Sequence, residues 1–478
     1  MLSYSILKIL YFLTFLLIPV VITRKKRPTS ALSWIMAIIF LPFLGAFLYL
    51  LFGTDRIKNK GKQKLVSNVG LREKHHDIEP NWSRHDLREL KYELPFEATD
   101  ILRVSSKLSP FGAVEDNELE ILVDSEETYQ KMEEAILSAQ HHVNLDYYIF
   151  DPDKVGARFR DLLVKKARQG VKVNFLYDAI GSLRLGWSRK FLDSFRAAGI
   201  EPREFLPLRT FFKPWNVNLR NHRKILIVDN KIGFTGGLNI GEDFLNRKGK
   251  RWRDTHMKVE GPAVAQLQWV FCEDWYFATG EDLFNPDYFP PVAPSGHYIA
   301  QVVPGGPDQT EEVIPRVFFT AISEAKKSIY ITTPYFIPDL PVYIALQTAA
   351  LRGVDVRLLL PFKSDHPFVL LAAHSYYEDL LKSGARIFEY VPGILHAKML
   401  VVDDHFVVLG SANLDIRSFS YSFELNVQIY SDRFTKIAKK VFLEDLENSR
   451  ELTRDEFLKR PSYIEFAENV CRLFSPLL

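Results

Sequence analysis

Two histidines and two lysines recur in this chain at one spacing, and their surroundings recur with them. In NHRKILIVDNKIGFTGGLN, residues 221–239, His222 and Lys224 stand two apart at the head of an apolar run that ends at Asp229. Gly236, Gly237 and Asn239 follow. In LHAKMLVVDDHFVVLGSAN, residues 395–413, the same offsets hold His396, Lys398, Asp403, Gly410, Ser411 and Asn413. Five positions are identical and the sixth, Gly237 or Ser411, is small in both copies. An imidazole and an ammonium two residues apart on a strand share one face. Together they suit a phosphate: lysine neutralises a non-bridging oxygen, and histidine attacks phosphorus or carries a proton. The turn adds backbone amides, and Ser411, Asn239 and Asn413 add donors for the charge on a five-coordinate phosphorus. One histidine would form a covalent phospho-histidine. The other would protonate the departing alkoxide and then deprotonate the incoming hydroxyl. With two lysines and neutral amides supplying the positive field, no metal and no cofactor is required. Asp229 and Asp403 are candidates for the same machinery, or else simply close a strand-turn-strand hairpin. A lone His-x-Lys is ordinarily solvated surface; its return at identical spacing is what makes it a site.

Positioning these side chains requires a duplicated α/β frame. From about residue 119 helical and strand patterns alternate. Ser125–Gln140 has helical apolar spacing, HHVNLDYYIF (141–150) reads as a buried strand, a helix ends at Gly170, and VKVNFLYD (171–178) is the next strand. The second half repeats the order, with a helix over about 312–326, the strand KSIYITTPYFIPD (327–339), a helix ending at Gly353, and VDVRLLLP (354–361). Tyr148 falls opposite Tyr335, and Gly170 opposite Gly353. Duplication of this kind favours two lobes about a pseudo-twofold axis, with one copy of each motif facing a common cleft. In KILIVD, Ile225 and Ile227 point one way, and Leu226 and Val228 the other.

The N-terminus differs from the rest. Tyr4–Thr23 is apolar except for Lys8, and Ala31–Gly53 carries no charge. Each reaches the roughly 20 residues that a membrane-crossing helix needs, so residues 1–53 read as a transmembrane hairpin. It lacks the basic start and small-residue site of a cleaved leader. RKKR (24–27) and the lysines after residue 55 nearly balance under the positive-inside rule; we take the remainder of the chain as cytoplasmic. Residues 54–118, polar and weakly periodic, read as a juxtamembrane linker with one or two short helices and with His75, His76 and His85 solvated. The net charge of +2 gives no polyanion-binding signature over 478 residues, which counts against nucleic acid as a partner. Cys272 and Cys471 read as buried free thiols. The aromatics Phe211, Phe212 and Trp215 either dip into a membrane interface or fill the core between lobes.

H-x-K-x4-D-x6-G-[GS]-x-N, present twice, resembles the phospholipase D superfamily over nearly all of residues 119–478. PTSALSWIMAIIFLPFLGAFLYLLFG, NHRKILIVD, WRDTHMKVEGPAV and the ending RLFSPLL narrow the resemblance to bacterial cardiolipin synthases. It implies an α/β fold of two pseudo-symmetric phospholipase D-like lobes, 119–295 and 296–478, each a mixed β-sheet flanked by helices, after the transmembrane hairpin. It implies His222 and His396 as nucleophile and acid/base, with His222 favoured as nucleophile, and Lys224, Lys398, Asn239 and Asn413 as phosphate ligands. Glu424 would orient one histidine, with Asp254 as its counterpart for the other. It further implies that two phosphatidylglycerol molecules give cardiolipin and glycerol at the bacterial cell membrane. A phospholipase D-type hydrolase acting on phospholipids or nucleic acid, and a non-catalytic lipid-binding scaffold, are the alternatives.

Overall fold

The computed structural model describes residues 12–24, 28–50, 56–78, 94, 96–207, 219–246 and 251–475. Strands β1 (Val114–Leu122), β2 (His142–Tyr147), β3 (Lys172–Asp178), β4 (Arg203–Phe205), β5 (Arg220–Asn221), β6 (Lys224–Val228), β7 (Ile232–Gly236), β8 (Arg251–Arg253) and β9 (His256–Glu260) belong to the first lobe. The second contains β10 (Tyr298–Gly305), β11 (Ser328–Thr332), β12 (Phe336–Ile337), β13 (Asp355–Lys363), β14 (Arg386–Leu395), β15 (Met399–Val402), β16 (Phe406–Gly410), β17 (Leu414–Asp415), β18 (Ser422–Tyr430) and β19 (Ser449–Leu452).

The main sheet of the first lobe runs β1-β9-β7-β6-β2-β3-β4. That of the second runs β10-β18-β16-β15-β11-β13-β14, with β19 on its edge. Strand for strand the two orders match. Each mixes parallel pairs, joined by crossover helices, with antiparallel hairpins. The sheets meet where β1 pairs with β10. Helices Ser125–Ser138 and Lys154–Arg168 cover the first sheet and start at Asp124 and Asp153, whose carboxylates accept N-cap hydrogen bonds.

The alternation read in KILIVD is present: Leu226 and Val228 join the core under the first lobe's outer helices, and Ile225 and Ile227 join the core at the centre of the molecule. Met399 and Val401 reach that central core from β15, while Leu400 and Val402 face the second lobe's own core. Between the lobes lies helix Ala263–Thr279, buried along residues 263–275 and ended by Gly280 in the left-handed region at φ 78°. Its polar residues are paired rather than exposed. Gln266, for example, donates to the Gly112 carbonyl and accepts from the Val302 amide.

Several expectations change. Asp229 and Asp403, counted among the catalytic candidates, hold backbone at the far ends of β6 and β15. Asp229 accepts from the amides of Gln140, His141 and His142, and Asp403 from those of Lys326, Lys327 and Ser328. Their carboxylates are spent on starting β2 and β11. With φ of 52° and 53°, Asp229 and Asn230 form the turn that suits the twist of the β6–β7 hairpin.

Within 54–118, read as a linker with one or two short helices and solvated histidines, two helices are described and both pack onto the lobes. Helix Arg56–Lys74 packs into the central core through Leu71, and helix Phe96–Leu108 gives Ala98, Ile101 and Leu102 to the second lobe's core. His75 bonds Asp282 at 2.8 Å and stacks on Phe284, and β1 already begins at Val114. His85, Phe211, Phe212 and Trp215 lie outside the described residues, as do residues 4–11 and 51–53 of the two apolar runs. Among the described residues no helix is long and apolar enough to cross a membrane. Helices Leu17–Arg24, Pro28–Phe40 and Pro42–Leu48 are separate, with Pro42 starting the last of them. The longest has 13 residues and spans about 20 Å, short of a hydrocarbon core of about 30 Å.

If Asp229 and Asp403 are backbone caps, Asp229→Ala and Asp403→Ala lower stability by about 1–3 kcal/mol each. Denaturant unfolding followed by circular dichroism reads this loss. A loss of turnover without a loss of stability would return the pair to the catalytic machinery.

Candidate active site

Each histidine is delivered by a strand that crosses the seam. β5 pairs in parallel with the start of β18, and the His222 amide donates to Phe423 O at 2.9 Å. The end of β14 pairs with β8, and the His396 amide donates to Arg253 O at 2.7 Å. β5 is pinned from its own lobe as well. Asp178 accepts from the Asn221 amide at 3.0 Å, and Asp146 accepts from the Asn221 side chain at 2.8 Å.

The residue after each anchoring carbonyl carries the carboxylate. Glu424 lies 3.0 Å from His222 Nδ1, and Asp254 lies 2.7 Å from His396 Nδ1. The pairs are therefore crossed: the first lobe's histidine is held by the second lobe's carboxylate, and the reverse. With Nδ1 so engaged, Nε2 is the nitrogen of each ring left to react. Lys224 Nζ donates to His222 O at 2.6 Å, and Lys398 Nζ lies 2.9 Å from His396 Nδ1 and also bonds His396 O.

The difference between Gly237 and Ser411 has a steric cause. Ser411 Oγ donates to Glu424 at 2.5 Å. In the first lobe the Asp254 carboxylate occupies that space: a Cβ on Gly237 would lie 2.0 Å from Asp254 Oδ1 and 3.3 Å from His396 O. Asn239 is tied by its Oδ1 to the Ile149 amide at 3.2 Å, and Asn413 is 5% exposed.

Burial governs the electrostatics. His222 is pushed well below its ordinary pKa by burial and then by the charges of Lys224 and Lys398. Burial and Lys398 also lower His396, against the pull of Asp254. Burial brings Lys224 down to about 7 and Lys398 to about 8. It pushes Glu424 up to about 7, although Lys224 works against it. Asp254 goes the other way: burial would raise it, but His396 and Lys398 hold it at about 2. The two halves thus match in geometry, while their two carboxylates are shifted in opposite directions.

The structure brings together His222, Lys224, His396, Lys398, Glu424, Asp254, Ser411 and Gly237, and leaves Asp229 and Asp403 outside. Sequence reasoning left out the aromatic walls. Tyr148 meets the His222 ring edge-on at 4.9 Å with Lys224 Nζ 5.4 Å from its own centroid, and Tyr335 approaches His396 at 6.4 Å. Their matching places in the repeat were the signal. Trp252, 5.2 Å from His396 and bonded to Asp254, sits in the strand that supplies the His396 anchor and had no counterpart to announce it. Among the described residues no group of histidine, cysteine or acidic side chains could hold a metal ion.

Two matched lobes with a histidine–lysine pair apiece at one seam define a phospholipase D-like fold. The chain shares that fold with a phosphatidylserine synthase from Haemophilus influenzae, at a TM-score of 0.59 over 79% of this chain and 100% of that one, with 16% identity. The family profile described as cardiolipin synthase, PLD-like domain, matches residues 132–275 and 318–446, and that described as phospholipase D-nuclease N-terminal matches residues 8–53. The chain is 38% identical over 465 residues to a cardiolipin synthase of Geobacillus kaustophilus, covering 96% of this chain and 91% of that protein. It is also 38% identical over 488 residues to the major cardiolipin synthase of Bacillus subtilis, covering 100% and 99%. The chain belongs to the bacterial cardiolipin synthase family of the phospholipase D superfamily.

Because Gly237 leaves room for Asp254, Gly237→Ala displaces the carboxylate from His396 and lowers turnover at least about tenfold, a loss of about 1.4 kcal/mol in barrier terms. Ser411→Ala, which removes the hydroxyl's hydrogen bonds with Glu424 and the Leu425 backbone but adds no volume, costs less. Turnover numbers of the two folded variants decide this, and equal losses would refute the steric account.

Proposed function

We propose that the protein transfers a phosphatidyl group from one phosphatidylglycerol to another, making cardiolipin and releasing glycerol. The crossed pairing of two histidines with two carboxylates at one seam carries this reading, because it offers one phosphate two oriented imidazoles with different carboxylate partners. Neutral His222 attacks phosphorus through Nε2 while the bond to the glycerol headgroup breaks. His396, whose imidazolium the ionised Asp254 stabilises, protonates the departing alkoxide. Glycerol leaves, and the now neutral His396 takes the proton from the primary hydroxyl of a second phosphatidylglycerol. That oxygen attacks phosphorus, the P–N bond breaks, and His222 is regenerated. Lys224, Lys398, Asn239 and Asn413 bind the non-bridging oxygens, and Ser411 steadies Glu424. One phosphodiester replaces another, so the exchange is nearly balanced and needs no nucleotide. Burial of both lysines and both carboxylates supports a site that excludes water from the phospho-histidine.

The N-terminal segment 1–53 is, in this reading, the membrane anchor. Its two apolar runs and its exposed apolar side chains Phe12, Leu16, Ile22, Phe40 and Phe47 support this placement. The substrates then lie in the bilayer to which the chain is attached.

Purified protein in mixed micelles with labelled phosphatidylglycerol is expected to yield cardiolipin and equimolar glycerol without nucleotide, and His222→Ala is expected to yield neither. His396→Asn should accumulate a phosphatidyl adduct on His222, visible by mass spectrometry, because the second step lacks its base. Phosphatidic acid as the main product would make the protein a hydrolase, and an adduct on His396 in the His222→Asn variant would reverse the roles.

The lysines set the alkaline limb of the pH profile. Their lowered pKa values mean that the free site loses positive charge as pH rises through about 7 to 8, so kcat/KM falls there. A bound phosphate favours the ammonium form, so kcat holds to higher pH than kcat/KM. Initial rates between pH 5.5 and 9.5 test the order of the two limbs, and coincident limbs would exclude the lysines as their source.

A further inference from the structure

Helix Arg56–Lys74 sends one charged side chain into the seam behind the histidine–lysine motif. Lys64 Nζ lies 2.9 Å from Asp274 Oδ1 and 2.5 Å from Asp308 Oδ2. Asp274 belongs to the central helix Ala263–Thr279, and Asp308 follows β10 of the second lobe. The same two carboxylates hold Arg223, whose Nη1 reaches both oxygens of Asp274 at 2.6 and 2.7 Å and whose Nη2 reaches Asp308 at 3.2 Å. The side chains of Lys64, Arg223, Asp274 and Asp308 are all 0% exposed. Gly61 allows the helix to come this close, since a Cβ there would meet Pro307 O at 2.4 Å.

Arg223 is the residue between His222 and Lys224. Its Nε donates at 3.1 Å to the carbonyl of Glu424, the residue whose carboxylate holds His222. Lys64 and Arg223 both lie against the ring of Phe423, at 5.4 and 5.8 Å, and Phe423 O accepts the His222 amide. Two cations thus balance two anions in a closed space. A third acid, Asp146, is pushed well above the usual carboxylate range by burial and by Asp274. Without the Lys64 charge, Asp274 and Asp308 would compete for one guanidinium in a buried site, where uncompensated charge is expensive. Any shift of Arg223 toward Asp308 draws it off the Glu424 carbonyl and moves the peptide that carries His222.

We propose that Lys64 is a positioning residue of the reaction: it balances Asp274 and Asp308 so that Arg223 stays on the Glu424 carbonyl and His222 stays in register with its carboxylate. The N-terminal helix is then a working part of the catalytic assembly as well as the link to the anchor. This rests on the reading of His222 as a reacting group.

The test uses the full chain with monomeric dihexanoyl phosphatidylglycerol, a substrate below its micelle concentration, so that membrane attachment cannot account for the result. Lys64→Met should lower kcat at least about tenfold while KM changes by less than about threefold. Asp308→Asn, which leaves two cations on one carboxylate, should also lower kcat. The double variant K64M/D308N restores one cation to one anion and should return kcat to within about threefold of the unsubstituted protein. A folded Lys64→Met protein with undiminished kcat overturns the proposal, as does a folded double variant slower than both single variants. Should Lys64→Met fail to fold, Asp308→Asn and the double variant give the same decision. An unsubstituted protein that releases no glycerol would instead overturn the functional reading.

Discussion

A carboxylate from one lobe holding a histidine from the other is the constraint around which this protein is organised. Glu424 and Asp254 are buried, and each finds its partner across the seam. A lobe on its own would leave a buried carboxylate without its imidazole and a histidine without its orienting acceptor, both costly in a low-dielectric interior. The strand pairs β5–β18 and β8–β14 enforce the same dependence through the backbone, since the amide of each histidine is bound by a carbonyl of the opposite lobe. The geometry of the site and the docking of the lobes are therefore one event.

The matched backbone carries an unmatched distribution of charge. Glutamate reaches His222 with one more methylene than aspartate has, and Ser411 fills the space beside it. Aspartate reaches His396 only because position 237 lacks a side chain. One carboxylate is raised by burial and the other is held ionised by its neighbours. Two imidazoles with unlike carboxylate partners follow from small substitutions in a duplicated frame. The depressed lysines add to this: an empty site holds its positive charge weakly, and an arriving phosphate strengthens it.

The buried ions behind the motif extend the same logic to the N-terminus. Lys64, Arg223, Asp274 and Asp308 join the helix Arg56–Lys74, the central helix and the second lobe at a single point, one residue away from His222. Such a lattice is neutral only when all its members are present, so it makes docking of the N-terminal helix specific rather than merely apolar.

Much was legible in the sequence because it is local or repeated. The strand periodicity of KILIVD and KMLVVD, the helix over Ser125–Ser138 and the twofold order of elements are short-range patterns. The histidines and lysines stood at corresponding offsets, and Glu424 and Asp254 were reached through the family resemblance. Asp229 and Asp403 shared that regularity yet proved to bind backbone, because recurrence marks a need of the fold as readily as a need of the chemistry. Tyr148 and Tyr335 were visible as a matched pair but not as neighbours of the histidines. Lys64 looked like one charge among many in a polar stretch. Its burial depends on carboxylates more than two hundred residues away, and no local pattern encodes such a contact. The sequence by itself determined which histidines and lysines are candidates for the chemistry and that there are two sets of them. Only the tertiary structure decided which carboxylate serves which histidine, because the strands cross at the seam and exchange partners between lobes.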